Sequence, residues 1–146
     1  MAETLGSLCD KLSIVKLKQY HCDSDIKAES LANQARQLQK EINEFVEAAI
    51  AGNIGPDKLT FNSNKIHALR DGEVKCMVLE GIGANIGNLA NVNCSLWHEQ
   101  EKVYAFEKIP AEEKNNVVKQ LAVLNLQRNQ LIDAIDNAFR QLITQR

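Results

Sequence analysis

Arg128 stands where a leucine belongs. Counting in alternating steps of three and four along the last third of the chain gives Val117, Leu121, Leu124, Arg128, Leu131, Ile135, Ala138 and Leu142, the seam of a core-facing helix. A guanidinium in such a seam needs an anionic partner, because a charge left alone among apolar side chains is costly. Asn125 and Asn129 occupy the adjoining stripe, with Val118, Ala122, Ile132, Asp136, Phe139 and Ile143. Earlier segments offer partners: Asn93, Trp97 and Glu101 in mid-chain, and Asp10, Lys11, Lys18 and His21 near the start. With a rise of about 1.5 Å per residue, a first helix climbing from Leu5, a second descending to Lys108 and a third climbing from Pro110 bring His21 level with Asn125. Arg128 then sits a little above, Trp97 and Glu101 sit below, and Asn93 enters the same layer.

Two chemistries compete for this cluster. In one, Arg128 is neutralised by Glu101 or Asp10, the asparagines complete the hydrogen bonds, and the network fixes helix register. In the other, acid, base and cation converge on a cleft that binds a sugar phosphate or another anion, with Trp97 or Tyr104 as an apolar wall. The first is favoured, because bundles use polar layers to set register and no nucleophile stands out. The candidate ligand-binding set is thus Asp10, Lys11, His21, Asn93, Trp97, Glu101, Asn125, Arg128 and Asn129, with no catalytic residue assigned.

Two other motifs carry less. Gly81-Ile82-Gly83-Ala84-Asn85-Ile86-Gly87, after the apolar Met77-Val78-Leu79, mimics a dinucleotide loop, but that chemistry needs a parallel sheet around the glycines, and nothing else in the chain reads as one. Gly83 and Gly87, four apart, instead suit a kink or the close approach of another helix. Cys94 and His98, with His21 or Cys22 opposite, could hold zinc, yet the paired spacing of structural zinc sites is missing. The four cysteines Cys9, Cys22, Cys76 and Cys94 stand singly and read as free, buried thiols. Neither a cofactor nor a metal is expected.

The elements that must position these residues are helical. From Leu5 to Ala51 there is no proline, and the only glycine is Gly6. The seam Asp10, Ile14, Leu17, His21, Ser24, Ala28, Leu31, Ala35, Leu38, Ile42, Phe45 and Ala49 keeps its phase throughout, which predicts one long helix despite the capping signal of Asp23-Ser24-Asp25. A second stripe, Leu5, Leu8, Leu12 and Val15, widens the buried face at its start, and Ser7 with Asp10 resembles a capping box. Gly52, Gly55-Pro56 and Asp71-Gly72 mark a connector of roughly twenty residues. A second helix follows, with the seam Ile82, Ile86, Leu89, Asn93, Leu96, Gln100 and Val103, and Pro110 opens a third, whose first turn holds Glu112 and Glu113. The expectation is an all-α, single-domain (1–146) up-down-up bundle of three long antiparallel helices, at 5–51, 73–108 and 110–145. Leftover apolar strips would favour a homodimer.

Composition narrows the function classes. The 146 residues are 45% hydrophobic and 25% charged, the balance of a chain that buries a core. A formal net charge of −2 supplies no basic field for a nucleic acid backbone. No window approaches the ~20 apolar residues of a membrane span, and Met1 to Leu8 lack the pattern of a secretion signal, so a cytoplasmic protein is expected.

Three blocks resemble a family of short bacterial helical proteins of unknown function. They are Asp10-Lys11-Leu12-Ser13-Ile14, then Asn93-Cys94-Ser95-Leu96-Trp97, then Asn125-Leu126-Gln127-Arg128-Asn129. The resemblance covers those blocks rather than the connector. It implies an all-helical fold and a bacterial setting among genes for surface polysaccharide and glycosyl transfer, and it brings no catalytic residues. The expected role is a non-catalytic interaction or scaffold protein with a possible protein partner; the alternative is a small-molecule binder or enzyme built around Arg128.

Overall fold

A computed structural model describes residues 3–61 and 81–145. Four α-helices hold these residues: α1 (Leu5–Tyr20), α2 (Asp25–Ile50), α3 (Ile82–Tyr104) and α4 (Ala111–Thr144), with single 3-10 turns at Pro56–Lys58 and Phe106–Lys108. No strand occurs among the described residues. The all-α class holds, but the expected first helix is two helices. The chain breaks at His21–Ser24, where the amide of His21 closes α1 on Leu17 and Ser24 becomes the residue preceding α2. Periodicity concealed this break because each half needs an apolar stripe of its own. On α2 the stripe Ala35, Leu38, Ile42, Phe45 and Ala49 still faces inward.

The break lets α2 fold back on α1. Leu8 shares a hollow with Glu44, Phe45 and Ala48, whereas Ile14, Val15 and Lys18 share one with Gln34, Gln37 and Leu38. The two helices therefore run antiparallel, and α2 covers apolar surface that three helices alone would have left open. A second correction concerns direction. Gly6 meets Asp136 while Asp10 meets Arg128, so α1 and the last helix run in opposite senses, not together as an up-down-up trio requires.

Local chemistry sets the ends. The cap of α1 is not Ser7 with Asp10 but the buried Thr4: its hydroxyl accepts from the Ser7 amide at 3.3 Å, and the Ser7 hydroxyl accepts from the Thr4 amide at 2.9 Å, a reciprocal capping box. That frees Asp10 to face the interior. At the end of α2, Gly52 takes φ +79°, which only glycine adopts cheaply. The Asn53 amide then bonds the Ala48 carbonyl at 2.9 Å and the Gly52 amide the Ala49 carbonyl at 3.2 Å, satisfying carbonyls the helix would orphan. The stop at Ala51–Gly52 and the opening of the last helix after Pro110 lie where the sequence places them. The expected portion of the second helix at 73–80 and most of the connector, 62–72, lie outside the described residues.

The core gathers around the start of α1: Leu5 and Leu8, Phe45 and Ala49 from α2, Leu89 from α3, Leu131, Ile135 and Phe139 from α4, and Leu59 from the segment after α2. Phe45 and Phe139 meet with ring centroids 6.1 Å apart and planes tilted by 43°. Burying each large side chain here contributes about 1.5–3 kcal/mol. One contact governs the approach of α1 to α4: a Cβ on Gly6 would lie 2.4 Å from the Ile132 carbonyl oxygen. No larger residue lets the helices pass this closely.

Candidate functional site

The guanidinium of Arg128 is held by Asp10. Its Nε donates to Oδ1 of Asp10 at 2.9 Å and its Nη2 to Oδ2 at 2.6 Å, and the two parallel bonds fit the planar fork to the carboxylate. The Asn93 side-chain amide adds a third donor to Oδ1 at 2.9 Å. Asp10 and Asn93 are buried, at 4% and 3% exposure, while the Arg128 side chain keeps 33% of its surface. The pair is thus closed on its carboxylate side and open on part of its guanidinium side. Hydrogen bonding to Asp10 holds the Arg128 pKa above its ordinary value, and burial opposes this. Three helices, α1, α3 and α4, are joined at one carboxylate.

The remaining candidates separate into three groups. His21 stacks on Trp97 with centroids 4.7 Å apart and planes within 7°, and the Trp97 indole N–H donates to Glu101 Oε1 at 2.8 Å. Glu101 is therefore engaged one turn along its own helix, so of the two anions expected for Arg128 it is Asp10 that serves. Asn129 donates to the backbone carbonyl of Asn125 at 2.9 Å, a bond along α4. Lys11 turns outward to Glu3. Tyr104, expected as an apolar wall, is 84% exposed.

A second buried polar site was visible in the sequence only as a member of a stripe. Asp136, on α4, is 1% exposed. Its Oδ1 accepts the Gly6 amide of the first turn of α1 at 2.7 Å, where the free amides and helix dipole favour a negative group. Its Oδ2 is buried and has no hydrogen-bond partner among the described residues. Burial is the main reason its pKa is pushed up to about 6; the Gly6 amide and the nearby Thr4 hydroxyl pull it down, and the charge of Asp133 adds to the rise. The signal was available: Asp136 interrupts an apolar stripe just as Arg128 interrupts a seam, and Gly6 is the only glycine in the first fifty residues.

The other motifs resolve simply. Gly81 precedes α3 with φ +91°, and Gly83 and Gly87 lie within the helix, where an added Cβ would meet nothing within 4 Å. Ile86 and Ala90 beside them are exposed and face α1 across a groove. Cys9, Cys22 and Cys94 are free and half-buried. Burial first, then the charges of Asp136 and Asp10, push the Cys9 thiol up to about 11. Among the described residues no three His, Cys, Asp or Glu side chains are grouped to hold a metal ion, and no helix is long and apolar enough to cross a membrane. An apolar groove of about 470 Å³ lies between α1 and α3, walled in part by Leu12, Leu17, Tyr20 and Ile86, and Arg128 does not line it. The chain matches no family model, no curated protein and no solved structure.

Proposed function

We propose that this chain is a non-catalytic helical interaction protein whose Asp10–Asn93–Arg128 network fixes how α1, α3 and α4 sit against one another. The observation that carries the reading is the bidentate closure of Arg128 by Asp10. A guanidinium whose fork is already matched to a carboxylate, with a third donor on the same oxygen, has little left to offer an anionic ligand without breaking that match. Other polar candidates are likewise engaged within the chain, Trp97 with Glu101 and Lys11 with Glu3. The α3 face around Gly83 and Gly87, uncovered among the described residues, supports association with a second copy in the cytoplasm, since small residues admit a close helix. The resemblance to short bacterial helical proteins supports, as a partner class, the enzymes of polysaccharide or glycosyl transfer.

The competing reading, an anion-binding site at Arg128, rests on the third of its side chain that stays exposed. Native mass spectrometry of the chain, with and without inorganic phosphate and glucose 1-phosphate, separates the two. The scaffold reading expects a dimer with no retained anion, and a melting temperature unchanged by millimolar phosphate. A phosphate-dependent rise in melting temperature that Arg128→Gln abolishes would replace it with the binding reading. A monomer at all concentrations would remove the second copy.

A further inference from the structure

Asp136 takes no part in the Arg128 network, yet it is the more deeply buried of the two aspartates between α1 and α4. Its surroundings explain what it can bind. Oδ1 is committed to the Gly6 amide, and Oδ2 is buried with no hydrogen-bond partner among the described residues. A polar hollow of about 190 Å³ beside it is lined by Thr60, Phe61, Asp133, Asp136 and Asn137, but Oδ2 itself is buried. An ion would have to displace the side chain to stay on that oxygen; a proton, delivered by water when the side chain moves, would not.

We propose that Asp136 is a proton-controlled latch: uptake of one proton from solvent by its partnerless oxygen tightens the crossing of α1 over α4 at Gly6, and release of that proton loosens it. In the ionised state the carboxylate is a buried charge with one backbone amide, the Thr4 hydroxyl and, among the described residues, no counter-ion, which is costly; the neutral acid is far cheaper to bury and still accepts the Gly6 N–H. Among the described residues the facing titratable groups do not offset the charge, and the Thr4 hydroxyl does so only in part. Asp133 lies one turn back on α4, and α1 presents the Cys9 thiol and Asp10, the latter already committed to Arg128. The segment at Thr60 and Phe61 brings no titratable group, and Asp57 and Lys58 of the preceding 3-10 turn are exposed. The crossing is sensitive because it has no slack, as the 2.4 Å between a notional Gly6 Cβ and the Ile132 carbonyl shows.

The direction follows from linkage. The folded chain holds this proton up to about pH 6, whereas an unfolded aspartate releases it near 3.8. Between those values the folded state binds more protons, so the junction weakens as pH rises from about 4 to about 6 and stays weaker above. The test is an NMR titration of the isotopically labelled full chain between pH 4 and 8, following the Asp136 carboxyl carbon and the Gly6 amide. Both should move together with a midpoint near 6, and Gly6 protection from hydrogen exchange, corrected for intrinsic rate, should be on the order of tenfold or more higher at pH 4.5 than at pH 7.5. A carboxyl midpoint near 4, or Gly6 protection that does not change across the titration, overturns the proposal. Asp136→Asn should abolish the pH dependence at Gly6; a folded variant that keeps it assigns the effect to another group and overturns the latch as well. The wild-type titration decides the matter if that variant does not fold.

Discussion

Each of α1 and α4 lends the other one aspartate. Asp10 leaves α1 for Arg128, and Asp136 leaves α4 for the start of α1. The two carboxylates are almost equally buried, at 4% and 1% exposure, yet their situations differ. Asp10 receives three hydrogen bonds and a full positive charge; Asp136 receives one amide, the Thr4 hydroxyl and part of a helix dipole, and no cation among the described residues. Burial alone therefore does not set the cost of a buried acid. The number and charge of its partners decide whether it behaves as a rivet or as a weak point.

The same substitution at both positions sharpens this contrast. Asp10→Asn leaves Arg128 half-buried without an anion and should cost about 2–4 kcal/mol, a buried-pair penalty reduced because the guanidinium is partly exposed. Asp136→Asn at pH 7.5 removes a poorly compensated charge and should stay within about 1 kcal/mol of wild type. Urea denaturation of both variants reads the difference, and equal losses would erase the distinction. Gly6→Ala comes next, with an expected loss of about 1–3 kcal/mol, because the clash is with backbone that cannot rotate away. A neutral Gly6→Ala would mean that the crossing is looser than its geometry. Smallest is Glu101→Gln, which keeps an acceptor for the Trp97 indole at the surface and should change stability by less than about 0.5 kcal/mol. A larger loss would make the His21–Trp97–Glu101 stack a structural site in its own right.

Arg128 was legible because one residue broke an otherwise regular seam, and misfits of that kind survive any rearrangement of the helices. Its partner was harder to name. Glu101 and Asp10 were equally reachable on paper, and Glu101 was removed by Trp97, four residues earlier on the same helix. The level-by-level counting that paired His21 with Asn125 assumed a continuous first helix parallel to the last. Neither condition holds, since α1 stops at Tyr20 and runs against α4. The seam from Leu31 to Ala49 nonetheless stayed in phase, because a helix folded back on its neighbour still needs a buried stripe. The capping run Asp23-Ser24-Asp25 was the correct local signal, outvoted by a periodicity that does not distinguish one helix from two. Asp136 went unremarked because its partner is a backbone amide, and backbone partners leave no mark in a sequence beyond the glycine that admits them.

The central claim is that Arg128 is satisfied from within by Asp10. A double-mutant cycle over Asp10→Leu and Arg128→Leu, followed by urea denaturation, tests it most directly. Each single variant strands a charge and should lose about 2–4 kcal/mol, while the double variant, with leucine facing leucine, should return to within about 1 kcal/mol of wild type. Losses that simply add in the double variant would contradict the pairing and, with it, the account of how these helices are held in register.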